Sequence, residues 1–142
     1  MDMAWPQEFQ DMLAGWRTDP VGARSAFEGY AAWLAALPGV TLFFKARPGV
    51  SYSLRARHAA QKTREVFVLV DVVDDDPENR WLSVCFYADM VTDPEERGDF
   101  VPGGLLGADA CCLTLDEDDG GARDYIAARL AEAAAAAAEG RE

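Results

Sequence analysis

The residues best placed to do chemistry in this chain are four cations that flank a proline-glycine turn signal. Lys45 and Arg47 precede Pro48-Gly49, and Arg55 and Arg57 follow it. Within each pair the residues are two apart, so in extended backbone both side chains leave from one face. A guanidinium presents a planar fork that matches a carboxylate or phosphate with two parallel hydrogen bonds, and a lysine ammonium adds a mobile point charge. If the hairpin register sets the pairs opposite each other, four cations meet on one surface. Like charges across a ladder repel, so such a group calls for a counter-anion. These four residues are therefore candidate anion- or partner-binding groups. His58, the only histidine, follows Arg57 and could serve beside them as a base or ligand. Nothing in the sequence supplies the orienting third group that nucleophilic catalysis requires, and no catalytic residue is assigned.

The charge around these residues makes them conspicuous. Residues 29 to 64 hold Lys45, Arg47, Arg55, Arg57, Lys62 and Arg64 and not one Asp or Glu. From Glu65 to Asp119 the balance inverts, with sixteen acids against only Arg80 and Arg97. The whole chain of 142 residues has a net charge of -12. Such a balance argues against a general nucleic-acid or anionic-membrane binder, which needs a positive field over much of its surface. An anion must be met locally or not at all. The plainer alternative is that the protein's own acids, at Asp74 to Asp76 or Asp116 to Asp119, neutralise the hairpin, since surface ion pairs are common and need no function.

Other constellations carry less. Cys111 and Cys112 are adjacent, so on a strand they point to opposite faces and cannot jointly hold one metal. With Cys85 they make an odd number without a stapling pattern, which fits a reducing compartment; Cys85 could approach one of them across neighbouring strands, but buried cysteines more commonly act as small hydrophobes. The acidic run Asp74-Asp75-Asp76-Pro77-Glu78-Asn79 lacks the spaced frame of a calcium loop. Pro102-Gly103-Gly104-Leu105-Leu106-Gly107 lacks the lysine and following helix of a phosphate loop, and no metal or cofactor is expected. Leu105 and Leu106, read as exposed on a flexible loop, are candidate contacts of a homodimer.

Hydrophobic periodicity places these residues on elements. Trp5-Pro6 followed by Phe9, Met12, Leu13 and Trp16 gives a short first helix, and Thr18-Asp19-Pro20 opens a second running from about Pro20 to Leu37. The period then changes to two. Val40 to Arg47 and Ser51 to His58 form a hairpin, and Val66 to Val73 is a third strand, apolar on both faces and so expected to be covered on both sides or to lie centrally. Trp81 to Met90 and Ala110 to Leu115 are the fourth and fifth, with Val91 to Asp109 left between them as a loop. Ala122 to Glu139 is helical, and residues 133 to 142 are expected to fray. The outcome is one α+β domain over residues 1 to 142. It has a mostly antiparallel sheet of about five strands, two N-terminal helices and one C-terminal helix. Met1 to Pro6 has no basic, apolar leader and no run is long enough to span a membrane, so a cytoplasmic protein is expected.

Asn79-Arg80-Trp81-Leu82-Ser83-Val84 is similar to the tryptophan-bearing strand of frataxins, and Asp124-Tyr125-Ile126-Ala127-Ala128-Arg129-Leu130 to their final helix. At this level the chain resembles the small frataxin-type and YjbR-type proteins. The resemblance implies a helix, an antiparallel meander and a closing helix. Frataxins are implied to carry iron-contacting acids on the first helix and strand, where this chain has few acids and a basic hairpin, so no metal role carries over. The expected function is binding of a protein partner or small anion through Lys45, Arg47, Arg55, Arg57 and His58. The alternatives are a small-molecule enzyme acting on phosphate or carboxylate with His58 near Arg55 and Arg57, and nucleic-acid binding by the hairpin, which the overall charge disfavours.

Overall fold

The computed structural model describes residues 5–142; Met1 to Ala4, part of the segment read as lacking a leader, lie outside them. Three helices, α1 (Gln7–Gly15), α2 (Ala23–Ala36) and α3 (Gly120–Ala138), pack on one side of a six-stranded sheet. The strands are β1 (Val40–Arg47), β2 (Ser51–His58), β3 (Val68–Val73), β4 (Trp81–Tyr87), β5 (Asp99–Leu105) and β6 (Ala108–Leu115). Their spatial order is β1-β2-β3-β4-β6-β5 and every neighbouring pair is antiparallel. The α+β class with one antiparallel sheet is thus as read from the sequence, with one strand more.

Local chemistry sets the boundaries. Trp5 stacks on Phe9 at 4.2 Å between ring centroids, which pins the entry to α1. α2 begins at Ala23, later than Pro20, because Asp19 accepts the backbone N–H groups of Ala23 and Arg24 at 2.8 and 3.1 Å, with Pro20 to Gly22 as the turn between. Gly39 follows α2 with φ +79, and a side chain there would meet the His58 ring at 2.9 Å. The β1–β2 turn closes with Val50 N–H donating to Arg47 C=O at 2.9 Å.

β5 was hidden in the segment read as a loop. It is an edge strand, largely exposed, with a register shift between Val101 and Leu105. An edge tolerates Pro102 and the paired glycines that a central strand would not, and their presence masked its period. The two-residue connection Leu106-Gly107 has φ +50 and +88, the left-handed backbone that a tight hairpin demands. This turn reverses a sequence expectation: Leu105 is fully buried in the core and cannot be a dimer contact, while Leu106 remains 55% exposed.

α3 is capped by Asp119, whose carboxylate accepts from Gly121 and Ala122. Its alanine run does not fray where expected. The helix continues through Ala138, with Ala133, Ala136 and Ala137 buried, because small side chains let it lie close against its neighbours. The core between helices and sheet is filled by Trp16, Phe27, Phe67, Phe86 and the leucines around them. Each such side chain contributes roughly 2 kcal/mol of burial.

Candidate functional site: the uncovered face of the sheet

In β1 and β3 one residue in two faces the helices. Leu42, Phe44 and Ala46 alternate with the exposed Thr41, Phe43, Lys45 and Arg47, and the buried Val68, Val70 and Val72 alternate with half-buried Leu69, Asp71 and Val73. The pairing register carries the alternation across the sheet, so the opposite face is one continuous surface. One of its rows runs Phe43, Arg55, Leu69, Cys85, Cys112; the next runs Lys45, Ser53, Asp71, Ser83, Thr114; a third runs Arg47, Ser51, Val73, Trp81. Among the described residues no helix lies over this surface.

All four predicted cations are on it, but they do not converge as a knot. Arg47 stands opposite Ser51, Lys45 opposite Ser53, Arg55 opposite Phe43 and Arg57 opposite Thr41. One cation therefore occupies each of four successive rungs. Rungs on one face are about 7 Å apart, so the stripe is roughly 20 Å long. No two cations oppose each other directly, and the closest diagonal, Lys45 to Arg55, is about 7–8 Å. This corrects the expectation of four charges meeting at one point: the register interleaves them into a line.

The acids of the two runs expected to neutralise that line, Asp74 to Asp76 and Asp116 to Asp119, form no ion pair with it. Among the described residues none of Lys45, Arg47, Arg55 and Arg57 is in an ion pair. Asp74 is buried against Arg80 at 2.7 Å and accepts the Gly49 N–H at 2.8 Å, so it clamps the hairpin turn without touching the cations. Asp118 holds Arg123, and Asp119 caps α3. The nearest acid in the register is Asp71, diagonal to Arg55 and on the same rung as Lys45 with Ser53 between them. Burial pushes the Asp71 carboxyl above the usual range, against the opposing pull of the Ser53 hydroxyl and the charges of Arg55 and Arg47. Its Oδ1 has no hydrogen-bond partner. Arg55 Nε spends one donor on Ser53 Oγ at 3.2 Å.

His58 is not part of this surface. It shares the parity of Leu54 and Ala56, on the helix side, whereas Arg55 and Arg57 point the other way. Its Nδ1 accepts the Ala60 N–H at 3.0 Å, its own N–H donates to Gln61 Oε1, and its ring rests against Gly39. The strand alternation that pairs Arg55 with Arg57 is what sends His58 away, so the reading of an imidazole working beside these arginines is overturned by placement.

The sequence reading missed one feature and set a second aside. Phe43, Leu69, Val73 and Trp81 put apolar surface beside the cations, with Phe43 47% exposed. The signal was available in β3, apolar on both faces, of which the fold covers only one. Cys85 and Cys112 face each other across β4 and β6 at 4.1 Å between Cα atoms and are joined as a disulfide, while Cys111 is a free thiol. The opposed side chains of Cys111 and Cys112 were legible; that Cys112 shares the face of Cys85 depends on the pairing of two strands distant in sequence. The absence of a stapling pattern is corrected accordingly.

Among the described residues no three His, Cys, Asp or Glu side chains are gathered as a metal site, and no helix is long and apolar enough to cross a membrane. No protein-family model matches the chain, and no curated protein or solved structure matches it.

Proposed function

We propose that this chain is a binding module whose uncovered sheet face docks an acidic surface of a protein partner. One observation carries the reading: a line of four cations, one per rung and without internal ion pairs among the described residues, lies beside half-buried apolar side chains that no element covers. A line about 20 Å long suits an extended acidic surface better than a single small anion, which would engage one or two rungs. None of the clefts lined by Arg97 and Tyr125, by Arg64 and Tyr87, by Trp33 and Leu130, or by Trp5 and Phe43 takes in any of the four cations. Charge supplies orientation and encounter rate in such docking, and the apolar strip of Phe43, Leu69, Val73 and Trp81 supplies burial. A cytoplasmic setting is part of the same proposal.

The test is a titration with an acidic peptide, inorganic phosphate and a single-stranded oligonucleotide at two salt concentrations. The wild type is compared with the Arg55→Ala/Arg57→Ala variant. The expected result is salt-sensitive peptide binding that weakens by about ten-fold or more, roughly 1.4 kcal/mol, in the variant at unchanged melting temperature. Preferential oligonucleotide or phosphate binding would replace the protein partner with that ligand. A variant that melts markedly earlier would show the arginines to be structural, and equal binding by both proteins would remove the site.

A further inference from the structure

Away from the sheet face, the β2–β3 connection gathers backbone donors on one carboxylate. The backbone N–H groups of Lys62, Thr63 and Arg64, three in succession, all point at one carboxylate, that of Glu142 just beyond α3. The distances are 3.0 Å from Lys62 N to Oε1, 3.0 Å from Thr63 N to Oε2 and 2.8 Å from Arg64 N to Oε1. The Thr63 hydroxyl donates to Oε2 as well, at 3.0 Å. Successive amides turned to one point form a concave nest for an anion, built from main-chain dipoles and therefore independent of any side-chain rotamer. These donors hold the Glu142 carboxyl at about 2, with the Arg64 N–H the largest contributor.

The nest does not stand alone. Thr63 and Arg64 continue into a cleft of about 290 Å³ completed by Glu65, Tyr87, Leu106 and Ala108. One wall is stiff: the Arg64 guanidinium lies 4.0 Å from the Tyr87 ring centroid and is held bidentate by Asp89 at 2.8 and 2.9 Å. Leu106, an exposed leucine in left-handed backbone at φ +50, also lines the cleft. Thr63 and Arg64 thus border both the nest and a cleft whose lining has an aromatic ring and a leucine, and a polar anchor beside such a cleft suits a small molecule with an anionic head and a less polar body.

We infer that the Lys62–Arg64 nest is a receptor for the oxyanion of a small carboxylate or phosphate compound, and that Glu142 is its internal, displaceable ligand. The Glu142 carboxylate shows the geometry that an external oxyanion would adopt. It also competes with it, so the site is masked until an anion of sufficient strength or concentration displaces the side chain.

The experiment follows the amide resonances of Lys62, Thr63 and Arg64 while inorganic phosphate or acetate is added to the wild type and to Glu142→Ala. In the variant these amides should shift saturably with one of the two anions. The wild type should need at least about ten-fold more of it, the equivalent of roughly 1.4 kcal/mol of competition. Phosphate and acetate distinguish the two headgroup chemistries. Thr63→Val in the Glu142→Ala background removes the hydroxyl donor and should weaken the response several-fold. Absence of saturable shifts at these amides in a folded Glu142→Ala protein, or identical titrations of variant and wild type, would overturn the inference. Neither result bears on the sheet face, whose residues are different.

Discussion

Asp71 is a buried carboxylate at the centre of the uncovered sheet face, held there at some cost to stability. It sits mid-sheet between Ser53 and Ser83, with one carboxylate oxygen unpartnered and its carboxyl raised by burial. A carboxyl whose folded-state pKa lies above its unfolded value opposes folding when ionised, and the opposition disappears as pH falls through the folded value. Asp71→Asn is therefore expected to raise the melting temperature at neutral pH, with the gain shrinking as the solution is acidified, in a thermal denaturation series. A side chain kept in an unfavourable state at the centre of an uncovered face is what a recognition surface would retain. His58 is the contrasting case: its type suggested chemistry, and one step of strand parity assigns it instead to closing the chain around Gly39.

At the level of elements, the β1–β2 hairpin owes its placement to a residue outside it. Asp74, after β3, is buried against Arg80 and reaches back to the Gly49 N–H, so two turns are locked together through one carboxylate. The Arg80 guanidinium also lies near the Trp16 and Tyr52 rings at 5.6 and 5.7 Å. Removing one partner of a buried pair leaves the other uncompensated, so Asp74→Ala should cost about 3–5 kcal/mol in chemical denaturation. A loss under about 1 kcal/mol would mean that the pair is not holding the hairpin. The acidic run at Asp74 to Asp76 was legible as a turn, but nothing local distinguishes the buried Asp74 from its solvated neighbours Asp75 and Asp76. β5 was lost for a related reason: edge strands need no apolar period, and Pro102-Gly103-Gly104 resembles a loop until β6 is there to pair with it.

For the whole molecule, the separation of charge along the chain becomes a separation in space. The basic hairpin forms one end of an open face, while of the later acids Asp74, Asp89, Glu95 and Asp118 pair with arginines and Asp119 caps α3. The Cys85–Cys112 disulfide lies on that same face and tests the compartment. In a glutathione-reduced cytoplasm these two sulfurs would be held as thiols, so on the proposed cytoplasmic setting denaturing alkylation of freshly lysed cells without reductant should label three cysteines. A count of one would place the protein in an oxidising compartment and overturn the cytoplasmic part of the proposal. The amino-acid sequence by itself determined the α+β class, the exact span of the hairpin strands, the parity of each cationic pair and the opposed directions of Cys111 and Cys112, because these follow from periods of two and 3.6 within short stretches. Only the tertiary structure decided that the four cations form a line, that Leu105 is core, that Cys112 meets Cys85 and that Glu142 fills the nest at Lys62 to Arg64. Each of those depends on register or contact between segments far apart in the chain, which no local period encodes.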